Sequence, residues 1–263
     1  MRVGYFQFDP VFGEIAHNLD LVTARLEQVD ADLIVLPELF ATGYQFVSKE
    51  ETRRLAEPVP DGETTKRLAD IARRRGVTIV AGLPESAGAS CYNSAVVVGP
   101  KGFIGCYRKT HLFFEETIFF APGDSGFQVW DIGLAKVGIM ICFDWLYPES
   151  ARTLALQGAD IIAHPSNLVL PHCPDSMVTR CLENGVFSVT ANRIGSEARG
   201  GKDRLTFIGM SEVVSPRGRI LHRAPGECDD LTIVEIDPKE ARTKALNAYN
   251  ELLRDRRPAL YGA

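Results

Sequence analysis

The residues in this chain best suited to covalent chemistry are a cysteine, a glutamate and a lysine, each at the end of an expected strand. Cys142 closes Val137-Gly138-Ile139-Met140-Ile141, a run that reads as a buried strand handing its last residue to a turn and then to a helix begun by Pro148 and Glu149. Glu38 follows Leu33-Ile34-Val35-Leu36-Pro37, where the proline ends regular pairing. With Leu39 and Phe40 beside it, its carboxylate needs a partner. Lys109 ends the run before an aromatic loop holding Phe113, Phe114, Phe119 and Phe120. A thiol is only a few per cent ionised at neutral pH, so a nucleophilic cysteine requires a base or a cation nearby. Glu38 is assigned as general base, taking the Cys142 proton and later activating water. Lys109 is assigned to the thiolate and the tetrahedral oxyanion, helped by the Phe143 backbone N–H. The chemistry such a set supports is attack by the thiol on an electrophilic carbon and a covalent intermediate that water resolves, with no metal or organic cofactor.

These residues need a scaffold that delivers strand ends to one place. Strands are expected at 3–8, 32–36 and 77–82, with helices at 17–29 and 61–75 between them. A meander follows at 92–98, 102–108, 127–132 and 135–142, with 109–126 irregular. The alternation resumes with helix 148–157, strand 160–164, helix 175–184 and strand 186–192. Strands near 209–215, 218–223 and 231–236 precede a polar helix from Pro238. This order predicts mixed sheets covered by helices in a single α/β domain over 1–263.

Composition narrows the function. A net charge of −5, with no basic block longer than Arg73-Arg74-Arg75, argues against nucleic acid and anionic membranes as partners. The first residues enter a strand pattern without a signal-peptide core, and no apolar run reaches membrane-spanning length, so a cytoplasmic protein is expected. The six cysteines, with no C-x-x-C pair, read as free thiols. Zinc is not expected, because His172-Cys173 is adjacent rather than spaced for chelation.

Glu38, Lys109 and Cys142 in this order resemble the Glu-Lys-Cys triad of the nitrilase superfamily of carbon-nitrogen hydrolases. The resemblance covers nearly the whole chain. It is carried by Leu36-Pro37-Glu38-Leu39, Tyr107-Arg108-Lys109-Thr110-His111-Leu112-Phe113, Pro122-Gly123-Asp124, Ile141-Cys142-Phe143-Asp144, Pro148-Glu149 and His164-Pro165-Ser166-Asn167. It implies a four-layer αββα sandwich and a homodimer or larger assembly, with the tail 238–263 available to cross to a partner. It also implies a second glutamate after the lysine, for which Glu116 fits better than Glu115 by register. Cys142-Phe143-Asp144 is similar to the amidase branches, whereas nitrilases usually carry Cys-Trp-Glu. A small amide is therefore the expected substrate, with a nitrile as alternative; an N-carbamoyl compound, or a catalytically silent module on this fold, are further alternatives. Tyr44, Phe113, Phe143 and Trp145 are candidate pocket walls and Asn167 a candidate substrate contact. A Cys-His pair using His111, or Cys173 or Cys181 as nucleophile, are competing readings.

Overall fold

A computed structural model describes residues 1–261, and its elements follow from the alternation of apolar positions along the chain. The first half runs β1 (Arg2–Gln7), α1 (Ile15–Leu26), β2 (Leu33–Val35), α2 (Lys49–Leu55), α3 (Glu63–Arg75), β3 (Thr78–Ala87), β4 (Ser90–Gly99) and β5 (Gly102–Arg108). After the single turn α4 (Glu116–Phe119) come β6 (Val129–Asp131), β7 (Lys136–Ile139), α5 (Pro148–Leu156), β8 (Ile161–Pro165), α6 (Cys173–Asn184) and β9 (Phe187–Ala191). The chain continues through β10 (Ser196–Glu197), β11 (Leu205–Thr206), β12 (Glu212–Val214), β13 (Ile220–Arg223), β14 (Asp230–Glu235) and α7 (Lys239–Arg242).

The strands build two six-stranded sheets, β14-β1-β2-β3-β4-β5 and β13-β12-β9-β8-β7-β6, while β10 and β11 pair apart. In each sheet the central strands, β1-β2-β3 and β7-β8-β9, run parallel and the outer ones antiparallel. Side-chain alternation sorts the layers. Val3, Tyr5, Leu33, Val35 and Val80 face a core shared with Val137, Ile139, Ile161, Ala163 and Val189 of the other sheet. Phe6, Phe8, Ile34, Ile79 and Ala81 face away, onto Leu19, Val22, Leu68 and Ile71 of α1 and α3. The helices α5 and α6 cover the second sheet, so the molecule is the expected four-layer αββα sandwich.

This topology brings the candidate residues together. Two antiparallel steps separate β5 from β3, so β5 points the same way as β2, and Lys109 leaves the sheet at the edge where Glu38 does. Cys142 and Asn167 follow β7 and β8 of the facing sheet. Ligands of open α/β sheets bind at these carboxyl ends.

Several elements differ from expectation. The strand over 135–142 stops at Ile139, because Cys142 takes φ +41°, which no strand accommodates, and residues Cys142–Leu146 wind into a 3₁₀ turn. The helix from Pro238 lasts one turn; beyond it the Asn247 side chain accepts the N–H groups of Tyr249 and Asn250, favouring a turn over helix. Of the tail 238–263, Gly262 and Ala263 lie outside the described residues, while Tyr249, Leu260 and Tyr261 are exposed. The irregular stretch 109–126 contains α4, and α2 and the β10–β11 hairpin add order where none was expected. Among the described residues no helix is long and apolar enough to cross a membrane.

Candidate active site

Each candidate side chain is held by a local device. Glu38 sits where the chain leaves β2, and the turn beyond it closes on Leu39 at φ +51°. This turn lies so close to β3 that a Cβ on Gly82 would stand 2.5 Å from the Glu38 Cα, so only glycine fits there. Lys109 donates its backbone N–H to the Asn93 carbonyl at 2.8 Å and accepts the Gly123 N–H at 2.9 Å. A Cβ on Gly123 would strike the Arg108 carbonyl oxygen at 2.1 Å, which accounts for the glycine of Pro122-Gly123-Asp124.

The Cys142 corner is built around Asp144. Its buried carboxylate accepts four hydrogen bonds, from the Ile141 N–H (2.9 Å), the Tyr107 hydroxyl (2.8 Å), the His111 N–H (3.1 Å) and His111 Nδ1 (2.7 Å). From below, His164 Nε2 lies 2.9 Å from the Cys142 carbonyl oxygen. Burial lowers the His164 pKa to about 4, so the ring is neutral and donates that bond through Nε2–H. The corner is thus braced on both sides of a left-handed Cys142.

The ionic centre is buried and is tied together through Lys109 and Asn93. Lys109 Nζ donates to Glu38 Oε1 and to Glu116 Oε1, both at 2.7 Å, with neither Glu38 nor Lys109 exposed to solvent. Glu116 Oε1 also accepts the Tyr44 hydroxyl at 2.7 Å. Asn93 Nδ2 donates to Glu38 Oε1 at 2.7 Å and more weakly to Glu116 Oε2 at 3.4 Å. Glu38 Oε2 is buried with no partner. The glutamate doublet is resolved by position: Glu116 faces Lys109, while Glu115 pairs with Lys202 at 2.7 Å on the outside of the loop.

Two carboxylates around one ammonium leave the centre one charge negative. Burial opposes the Lys109 ammonium, but Glu116 and Glu38 outweigh it and hold its pKa above the usual lysine range. For Glu38, burial is the largest influence and, with Glu116, outweighs Lys109, raising the carboxyl to about 7. The two directions agree on one state: Lys109 keeps its proton, and the excess negative charge makes Glu38 a ready proton acceptor near neutral pH. Burial and the Glu38 charge also push the Cys142 thiol well above its ordinary range, against Lys109 and the Asn167 backbone N–H. These influences hold Cys142 toward its protonated, thiol form.

The other candidates divide. Phe113, Phe143, Trp145 and Asn167 line a narrow hollow beside Cys142. Tyr44 is not among its walls and reaches the centre through its hydroxyl on Glu116. Asn167 anchors the centre, donating Nδ2 to the Glu38 carbonyl oxygen at 2.8 Å. His111 is committed to Asp144 and stacks on Tyr147 at 3.7 Å, so no Cys-His pair forms. Cys173 and Cys181 are buried away from solvent in α6. Among the described residues no cluster of His, Cys, Asp and Glu could hold a metal ion. Asn93 escaped the sequence reading, and His164, quoted there only within His164-Pro165-Ser166-Asn167, was given no role; the one available signal for either was a polar residue inside a strand.

A further network stands behind Tyr44. Glu197 accepts the backbone N–H of Gln45 at 2.6 Å and of Tyr44 at 3.2 Å, and is itself held by the buried Arg193. Arg193 also reaches Asp9 at 2.6 Å, and its guanidinium lies 4.1 Å over the Phe207 ring. The Tyr44 hydroxyl is therefore set by backbone, not by rotamer choice alone.

Residues 2–245 match the carbon-nitrogen hydrolase family. The chain is 50% identical to the nitrilase of Pyrococcus abyssi, over 99% of each protein. It is 35% identical to an (R)-stereoselective amidase of Pseudomonas sp., over 100% of this chain and 93% of that one. Among solved structures it superposes on the amidase from Nesterenkonia sp. AN1 with TM-score 0.80 and 28% identity, covering 99% of this chain and 95% of that one. That structure, of a mutant, shows covalent addition of the acetamide moiety of fluoroacetamide at the active-site cysteine. This chain belongs to the carbon-nitrogen hydrolase family, in the nitrilase superfamily with its amidase-like members, and is a hydrolase of C–N bonds other than peptide bonds.

Proposed function

We propose that the enzyme hydrolyses small amides through a thioester on Cys142. The observation that carries this reading is the unpartnered, buried Oε2 of Glu38, a carboxylate whose other oxygen is engaged by Lys109 and Asn93. As Sγ bonds to the carbonyl carbon, the thiol proton passes to Glu38 and the C=O electron pair moves onto oxygen. An ammonium has three donors, and two of Lys109's are taken by Glu38 and Glu116, so the third is available to the oxyanion with the Phe143 backbone N–H. Glu38 then gives its proton to the departing nitrogen, ammonia leaves, and the thioester remains. Water, deprotonated by Glu38, attacks that thioester; collapse releases the carboxylate and returns the proton to Sγ. Glu116, fixed by Tyr44, keeps Lys109 in place between the two acids.

A nitrile is the second reading, favoured by the name of the Pyrococcus abyssi relative. Phe143-Asp144 after the nucleophile and the amidase relatives support the amide. Matched pairs carrying the same small group on a primary amide and on a nitrile decide between them by kcat/KM, each tenfold preference being about 1.4 kcal/mol of transition-state stabilisation. Higher values for the amide in every pair are expected; a consistent nitrile preference overturns the reading. The homodimer belongs to this proposal, supported by the exposed Tyr249, Leu260 and Tyr261 of the tail, as does a cytoplasmic location, supported by six free thiols.

The elevated Glu38 pKa gives activity and stability opposite pH trends. A base acts only when unprotonated, so kcat/KM should rise with pH and level off above an apparent pKa near 7. The folded protein holds the Glu38 proton up to about 7, whereas the unfolded chain releases it near 4.5, so this group's contribution to stability declines as pH rises between those values. A kcat/KM profile flat from about pH 5.5 to 8.5 would remove Glu38 as the base.

A further inference from the structure

The hollow beside Cys142 is the space left for whatever the reacting carbon carries. Its free volume of about 10 Å³ is far below that of the pockets that take drug-sized ligands. Its walls are Phe113, Phe143, Trp145, Leu168, Val169 and Leu170, with Asn167 the one polar side chain beside Cys142, and no charged side chain lines it. Trp145 and Leu168 are buried, and the Phe113 and Phe143 rings pack 5.0 Å apart, so the floor is fixed.

The nearby cations are committed elsewhere. Lys109 serves Glu38 and Glu116, Lys202 serves Glu115, and Arg180 pairs with Glu183 and donates to the Trp145 carbonyl from behind the wall. The side-chain oxygens left without a partner there, Glu38 Oε2, Asn93 Oδ1 and Asn167 Oδ1, are acceptors and suit the N–H groups of a carboxamide. A carboxylate on the far end of the substrate would meet a centre that is already one charge negative. An ammonium there would lose its water among aromatic and aliphatic walls. Neither charge finds a partner.

We propose that the carbon side of the substrate is short, apolar and uncharged, and that Trp145, Leu168 and Val169 select for it. This rests on Cys142 being the nucleophile. It separates this enzyme from any hydrolase whose substrate carries a charge at the far end.

The test compares isobutyramide with succinamate and 4-aminobutyramide, together with the three corresponding nitriles, so that the outcome does not depend on the head group. The neutral member of each set should exceed both charged ones in kcat/KM by at least about 100-fold. Val169→Arg, which adds a cation to the wall, should narrow the gap for the carboxylate compound by about tenfold or more and not for the ammonium compound. A readout independent of turnover is alkylation of Cys142 by iodoacetamide and by iodoacetate, each rate divided by that for glutathione and followed by mass. Faster normalised labelling by iodoacetamide supports the proposal; equal labelling overturns it. Charged and neutral substrates turned over equally, with activity abolished by Cys142→Ala, overturn the proposal and leave the nucleophile standing. Turnover that survives Cys142→Ala overturns the nucleophile itself.

Discussion

Cys142→Ala is expected to release no ammonia above background from any amide the parent accepts, a loss of at least ~10⁴-fold, while melting within a few degrees of it. The substitution deletes one sulfur from a buried site, a loss of about 1 kcal/mol in a well-packed interior. The braces that shape the corner are left in place, because Asp144 binds Ile141 and His164 binds a backbone carbonyl. Activity and stability should therefore separate. Mass spectrometry adds a second readout: the parent mixed with substrate and quenched should carry an acyl group, and the variant none. Retained ammonia release would place the nucleophile elsewhere, with Cys173 and Cys181 poor successors because burial holds both thiols well above their ordinary range.

Lys109→Ala should be the opposite case, losing both activity and stability. It removes the cation from between two carboxylates that are almost fully buried and share it at 2.7 Å each. Breaking a buried ion pair by removing one partner costs about 3–5 kcal/mol, and the remaining acids will take up a proton to reduce their repulsion. A fall in melting temperature of roughly 10 °C and at least ~10⁴-fold lower kcat/KM are expected, measured by calorimetry and ammonia release. Glu38→Gln discriminates between charge and packing. It keeps an acceptor for Lys109 and Asn93 while removing the base, so it should be as inactive as Lys109→Ala but melt near the parent. A Lys109→Ala protein with parental melting temperature would mean that the centre does not hold the charges assigned to it.

What the sequence made legible was whatever its local pattern determines. Val137 to Ile139 and Leu33 to Val35 are strands because runs of apolar residues in those positions are buried on both faces. Pro37 forecast where β2 gives out, and the apolar setting of Glu38 required a partner, which Lys109 supplies. The choice of Glu116 over Glu115 followed from register and is matched by which side of the loop each one faces. The failures are of another kind. That Cys142 lies beyond its strand depends on Asp144 drawing together Ile141, Tyr107 and His111, groups from two sheets that no short window contains. Asn93 belongs to the centre only because β4 runs beside β5, a tertiary fact. Tyr44 was legible as an aromatic near the site, but not that Glu197, more than a hundred residues later, sets its hydroxyl on Glu116. How far burial raises the Cys142 thiol likewise depends on groups from several elements, Glu38, Lys109 and Glu116 among them, which no local window contains.

The backbone of Cys142, at φ +41°, bears on how the protein can be improved. A side chain in that region is strained by about 1–3 kcal/mol, and glycine alone escapes most of it. Alanine keeps the strain and loses the thiol, so at this position the usual ranking of alanine above glycine as a stabilising replacement should invert. A laboratory selection that rewarded heat resistance and ignored turnover would drift toward glycine at residue 142, reaching a sturdier protein by erasing its chemistry. Thermostabilising libraries built on this scaffold should hold residue 142 constant and look for their gains elsewhere, for instance in the short turn that replaces the expected helix after Pro238.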